Sequence, residues 1–534
     1  MMKKILSIIT IVAGVALIFT SCMKDLDTIP LDEDVLTPAT LFENPAAYKQ
    51  VLAKLYAGLA VSGQQGPAGD ADIDGIDEGF GQYLRGFWYM QELPTDEAVM
   101  AWNDQTIKDL HWQTWGTSDV FISAFYYRIF YQISLANEFI RETSAANLDD
   151  KGISGDIRTE IEQFRAEARF LRALSYWHAL DNFGHYVPFV TDADPVGDSD
   201  FFPAPHPEGA NGLFSFIENE LKDIEALMVA ANANEYGRAD RAAVWTLLAK
   251  LYLNAEVYIG ADKYAECLSY CNDVINAGYT LASNYEYLFL ADNDMLDEII
   301  FSVNFDGLRT QTYGGTNFII HAAIGGDMPE VYNLAADFGV SGGWGGLRTT
   351  SSFVDLFPDE TATLDGRGMF FTEGQTKEIV NIGNFNDGYA ITKWKNVTST
   401  GIAGSSSDFP DTDFPMFRLG DVYLMYAEAV LRGGGGDIGT ATQYVNDLRV
   451  RGNAATVSSI DLPFILDERA RELYWECHRR TDLRRFGMFT GGDYIWPWKG
   501  NVPEGRPTDT KYSLFPIPES DVNANTNLDQ NPNY

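Results

Sequence analysis

Apolar residues recur at helical spacing over several long stretches of the chain. Val120 to Arg141 is rich in Phe, Tyr and Ile, with polar residues only at intervals. Arg165 to Leu180 reads RAEARFLRALSYWHAL and offers Ala168, Leu171, Ala173, Leu174 and Trp177 for packing. The same periodicity predicts helices over Leu213 to Val229, Arg241 to Glu256 and Tyr264 to Asn276. After a long break it returns over Leu419 to Arg432, Thr440 to Val450 and Phe464 to Arg480. Ala242, Ala249, Ala427 and Ala429 stand where a second helix can approach closely. Paired helices of this kind predict a mainly α fold of tetratricopeptide-like hairpins, degenerate and split by insertions.

The break is the second feature. From about Tyr279 to Phe417, Gly, Asn, Asp, Ser and Thr are frequent and long helical patterns are scarce. Two short apolar runs inside it, Ile299 to Val303 and Phe318 to Ile320, read as strands. Residues 62–81 form another irregular stretch. The expected architecture is one domain over 22–534, with a helical scaffold over roughly 35–278 and 415–490. A loop-rich, partly β insertion over roughly 62–118 and 279–416 forms its ligand-binding side, because binding residues concentrate on loops held by a rigid frame.

Residues 1–21 read as an export signal. Lys3 and Lys4 precede an apolar run from Ile5 to Phe19, shorter than the ~20 residues that a membrane-spanning helix needs. The run closes on Phe19-Thr20-Ser21-Cys22, a lipobox-like end that marks Cys22 for lipidation. The expected location is a membrane surface reached by an anchor. Acidic residues outnumber basic ones 76 to 38, for a net charge of -38, which repels phosphate backbones and argues against a nucleic-acid partner. Of the other cysteines, Cys267 and Cys271 share a helix face with no histidine at a zinc spacing and read as core.

Candidate chemistry is sparse on the catalytic side. Asp70, Asp72, Asp74 and Gly75 imitate the start of an EF-hand loop, but Gly81 stands where the bidentate glutamate belongs. Asp96 and Glu97 adjoin Trp102 and supply the paired carboxylates of a glycosidase alternative. No nucleophile elbow, His-Glu-x-x-His or phosphate loop is present, and no enzyme is expected. The aromatics say more. Trp102 lies in AWNDQ beside Asn103, Asp104 and Gln105; Tyr313 lies in TYGGTN and Trp344 in SGGWGG. Such rings can cover the C–H face of a pyranose while amides and carboxylates meet its hydroxyls.

Short motifs along nearly the whole chain then resemble one family. They are Glu92-Leu93-Pro94-Thr95-Asp96-Glu97, Arg169-Phe170-Leu171-Arg172-Ala173-Leu174, Gly237-Arg238-Ala239-Asp240 and Tyr426-Ala427-Glu428-Ala429. Glu468-Arg469-Ala470-Arg471-Glu472-Leu473, Arg480-Thr481-Asp482-Leu483-Arg484-Arg485-Phe486-Gly487, Pro516-Ile517-Pro518 and Asn531-Pro532-Asn533-Tyr534 complete the series. The chain resembles the SusD/RagB family of outer-membrane nutrient-binding lipoproteins, and within it a starch-binding member.

The resemblance implies a non-catalytic surface receptor, facing outward from the outer membrane. Such a receptor captures starch or maltooligosaccharide and passes it to a SusC-like TonB-dependent transporter. Another glycan or a peptide on the same scaffold, or a surface glycoside hydrolase, is the alternative. It implies that Trp102, Tyr313 and Trp344 form an aromatic arc, with Arg85 as a hydrogen-bonding partner and Asn103 or Gln105 as a polar reader. Met100 replaces a family tryptophan beside that arc. Asp294, Asp411 and Asp413 match a structural calcium site.

Overall fold

The helical stretches pack against one another in pairs. The computed structural model describes residues 41–67, 69 and 71–534, so the export signal, Cys22 and Asp70 of the EF-hand-like stretch lie outside the described residues. Residues 49–534 form one compact unit; in the preceding one the Phe42 and Tyr48 rings lie 4.9 Å apart. The principal helices begin with α1 (Tyr83–Glu92), α2 (Gln105–Trp112), α3 (Val120–Glu142), α4 (Gly155–Phe183), α5 (Gly209–Ile224) and α6 (Arg241–Leu253). They continue with α7 (Tyr264–Ile275), α8 (Gly315–Ala322), α9 (Leu419–Leu431), α10 (Ile438–Arg451), α11 (Leu462–Leu473) and α12 (Arg479–Arg485).

The most extensive packing joins α3 to α4, α4 to α5, α6 to α7, α7 to α9 and α9 to α10. The small residues fall where helices meet: Ala242, Ala249, Ala427 and Ala429 are fully buried. Starts are set by side-chain caps. Asp119 accepts the N–H groups of Phe121 and Ile122 ahead of α3, and Asp240 those of Ala242 and Ala243 ahead of α6. A cap of this kind contributes about 1 kcal/mol. No helix among the described residues is long and apolar enough to cross a membrane.

Three expectations change. Phe318 to Ile320 is not a strand but the middle of α8, whose eight residues are all buried. A short apolar run suits either state, and here burial on every side decided for the helix. The irregular binding regions accordingly contain regular elements, α1, α2 and α8. The periodicity from Phe464 to Arg480 is interrupted after α11, because Trp475 (φ 61°) and Cys477 (φ 66°) take left-handed backbone. Their N–H groups donate to the buried carboxylates of Glu97 (3.1 Å) and Glu92 (2.6 Å), a tertiary contact that periodicity does not carry.

Among the described residues the strands are short and pair antiparallel: β1 (Val99–Met100) with β3 (Leu347–Arg348), β2 (Ile299–Val303) with β6 (Phe414–Arg418), and β4 (Phe370–Phe371) with β5 (Ala390–Ile391). The β2–β6 pair ties the loop-rich centre to the scaffold above a buried charge network. Arg418 bonds Glu298 (3.1 Å), Glu472 (2.7 Å) and Glu476 (2.6 Å), while Arg367 bonds Asp365, Glu468 and Glu472. The Glu468 to Leu473 motif is therefore core electrostatics, not surface chemistry.

Candidate functional site

The candidate site is assembled around α8. At its C-terminal end the carbonyls of His321, Ala322 and Ile324 accept the N–H groups of Trp344 (2.7 Å), Gly346 (2.8 Å) and Gly345 (2.8 Å). The loop carrying Trp344 thus satisfies carbonyls that a helix end leaves open. At the other end, Gln82 Oε1 accepts the N–H of Arg85 (2.6 Å) and of Gly315 (3.0 Å), fixing the turn that presents Tyr313 to the start of α1. Trp102 follows β1, and the pairing of Val99 with Arg348 and Met100 with Leu347 sets it beside the Trp344 loop. Its indole N–H donates to the Trp344 carbonyl at 3.2 Å.

Trp344 therefore stands between two ring neighbours, Trp102 and Tyr313. Ring centroids are 6.4 Å apart for Trp102 and Trp344, tilted 40°, and 6.3 Å apart for Trp344 and Tyr313, at 61°. Neither pair is coplanar, so the three rings do not form a flat face. Tyr313 is 39% exposed; both tryptophans are half-buried. Trp344 lies on the His321 ring, stacked at 5.1 Å and 16°, and Trp102 packs edge-on against Phe80 and Phe318. The glycines around Trp344 do more than clear space for a projecting ring. A Cβ at Gly346 would meet the Trp102 indole at 3.0 Å, and one at Gly343 would meet the Ile324 carbonyl oxygen at 2.2 Å.

Arg85 lies beneath the rings. It is 3% exposed, donates from Nε to the Tyr89 hydroxyl (2.8 Å) and from Nη1 to the Tyr313 carbonyl (2.9 Å). Its guanidinium sits 4.1 Å from the Phe80 centroid, 4.3 Å from Phe318 and 5.7 Å from Trp102. Desolvated cation–π contacts of this kind are worth up to about 2 kcal/mol each. The arginine thus fastens the Tyr313 turn to the tryptophan side. Burial raises the Tyr89 hydroxyl to about 12 and lowers His321, so both are neutral supports near pH 7.

The two polar candidates are exposed and each has an intramolecular partner. Asn103 Oδ1 accepts from Lys108 Nζ, and Gln105 donates to Asp109 (3.0 Å) from the first turn of α2. Met100 is buried in β1, so its side chain adds nothing to the surface. Asp96 and Glu97 do not face the rings. Asp96 is fully buried in a two-pronged pair with Arg479, 2.7 Å on each arm, and Glu97 is buried on the Trp475 turn. This placement removes them as the carboxylates of a glycosidase.

Asp294, Asp411 and Asp413 line one cavity of 450 Å³ with Tyr236 and Asp306 and with no basic residue. Asp413 accepts from the Phe305 N–H (2.7 Å) and the Tyr236 hydroxyl (2.9 Å); Asp411 accepts from the Gly307 and Ser405 N–H groups. Burial, with Asp294 and Asp411 nearby, pushes the Asp413 carboxyl up to about 7. Oxygen donors suit a hard cation. However, among the described residues no three His, Cys, Asp or Glu side chains are grouped to hold a metal ion. As arranged, Asp411 and Asp413 act as loop ties.

Sequence reasoning missed Phe409, whose ring lies 5.6 Å from Tyr313 at 47°. No glycine pattern flags it; only its place two residues before Asp411, one of the calcium candidates, drew attention to the region.

A SusD family model matches residues 367–534. The starch-binding protein SusD of Bacteroides thetaiotaomicron is 36% identical, over 96% of both chains. A solved SusD superfamily protein from Bacteroides thetaiotaomicron superposes with a TM-score of 0.69 at 19% identity, covering 92% of this chain and all of that one. Surface glycan-binding protein A from Bacteroides thetaiotaomicron, in complex with laminarihexaose, gives 0.68 at 17% identity, covering 91% and 99%. With 36% identity along almost its full length to a SusD protein and the same helical architecture, the chain belongs to the SusD family.

Proposed function

We propose that this protein is a non-catalytic, lipid-anchored receptor on the outer face of the outer membrane that captures starch or maltooligosaccharides for a SusC-like transporter. One observation carries the ligand class: three half-exposed rings, consecutive at 6.4 and 6.3 Å, with no coplanar pair. A curved α-1,4-glucan can lay successive sugars on such rings, whereas a flat β-1,4-glucan cannot touch all three. The 36% identity to a starch-binding protein supports the same ligand. The anchor rests on Cys22 at the end of the apolar leader. The test uses cells carrying the protein as their sole α-glucan receptor. They are expected to retain labelled maltoheptaose at the surface, unshortened, and to lose it when Cys22→Ala is made. Equal retention of cellohexaose would point to another glycan, and recovery of shorter products to a hydrolase.

Calcium at Asp294, Asp411 and Asp413 is part of the proposal, supported by four aspartates, Asp306 included, around a cavity without a basic residue. A ligand that binds only the folded state stabilises it. Exhaustive chelation is therefore expected to lower the melting temperature. An unchanged melting temperature, with no metal by elemental analysis, leaves the aspartates as loop ties alone.

A further inference from the structure

The series of neighbouring rings does not stop at Tyr313. On the far side of Trp102, Phe80 has no face to offer: the Arg85 guanidinium lies 4.1 Å from its centroid and Phe121 stacks on it at 4.9 Å and 20°. The other end is open. Phe409 is half-buried, and its centroid stands 5.6 Å from Tyr313, a step like the two before it. At 47° the pair is tilted, as the two before it are at 40° and 61°.

The loop that presents Phe409 is fastened to the rest of the site. Ser406 Oγ accepts the N–H groups of Asp408 (3.2 Å) and Phe409 (3.3 Å). Ser341, on the Trp344 loop, donates its N–H to the Ser407 carbonyl (3.2 Å) and its hydroxyl to Asp408 Oδ1 (3.0 Å). Behind Phe409, its carbonyl lies so close to Gly307 that a Cβ there would stand 2.3 Å away. The ring is thus held in place with little freedom to lose on binding, which favours affinity. Ser341 and Asp408 are both exposed, and a hydroxyl and a carboxylate suit the rim of a sugar.

We propose that Phe409 is a fourth sugar-stacking position, extending the site by one subsite past Tyr313, with Ser341 and Asp408 reading hydroxyls at that end. The proposal rests on the α-glucan reading of the other three rings. It makes Phe409 a determinant of chain-length preference, since a short oligosaccharide is accommodated by the central rings and a longer one reaches the fourth.

The experiment is calorimetric titration of wild-type, Phe409→Ala, Phe409→Leu and Phe409→Trp proteins with maltotriose and maltoheptaose. Phe409→Ala is expected to weaken maltoheptaose about tenfold, equivalent to about 1.4 kcal/mol, and maltotriose less than about twofold. Phe409→Leu, which keeps bulk in the loop, should behave like the alanine variant, and Phe409→Trp should keep wild-type affinity. An equal loss for both sugars would mean that the loop, not a subsite, had been damaged. Unchanged maltoheptaose affinity in a folded Phe409→Ala protein would overturn the subsite while leaving the three-ring reading intact. No binding of either sugar by the wild type would overturn that reading and the subsite with it.

Discussion

Replacing Trp102 and Trp344 together by alanine is expected to take maltoheptaose affinity below detection while the chain stays folded. Each indole offers a rigid apolar face, and loss of a central aromatic contact costs more than ~1–2 kcal/mol, roughly tenfold in affinity per 1.4 kcal/mol. The two losses are coupled. The Trp102 indole N–H donates to the Trp344 carbonyl, and the rings tilt against each other at 6.4 Å. Trp344→Ala alone should weaken binding strongly, and Trp344→Phe should keep part of it by still covering His321. Because both tryptophans are half-buried, the stability loss is expected to be real but smaller than the ~3–5 kcal/mol of a core tryptophan. Titration paired with thermal melts checks both statements. A folded double variant with wild-type affinity would place the site elsewhere.

Arg418→Met should destabilise the fold more than any of the aromatic substitutions, by about 3–5 kcal/mol in urea unfolding. The guanidinium is buried and is shared by Glu298, Glu472 and Glu476, so its removal leaves three buried carboxylates one cation short, with only Arg451, Arg367 and Lys393 to compensate them. Burial by itself pushes the Glu472 carboxyl up, but Arg451, Arg418 and Arg367 around it hold it down at about 2. A depressed carboxylate stabilises the fold fully above its unfolded value of 4.5, and that contribution fades as pH falls toward 2. The wild type is accordingly expected to lose stability steadily over that acid window. If Arg418→Met unfolds at the wild-type urea concentration, the network is not what ties the β2–β6 pair to the scaffold.

The helical frame was legible because its signal is local. Periodicity in Val120 to Arg141 or Tyr264 to Asn276 reflects one face turned to the core, and the helices formed within a few residues of the predicted ends. The aromatic candidates were legible for a related reason: large rings amid glycines and short polar residues stand out in the sequence.

What a ring or carboxylate faces is set by contacts distant in the chain, which no local pattern encodes. Trp102 and Trp344 meet because two-residue strands pair across more than two hundred positions, and Tyr313 joins them from the opposite end of α8. The same long-range packing sank Arg85 under the platform, turned Asp96 into an ion pair with Arg479, and split a periodic helix with left-handed turns at Trp475 and Cys477. Phe409 stands 5.6 Å from Tyr313 on a loop bonded to Ser341, beside Trp344, a placement that no local pattern encodes. Local patterning thus set which segments are helical and which residue types are available for sugar. Their exposure and order along one surface came from packing between loops, for which a linear pattern holds no physical cause.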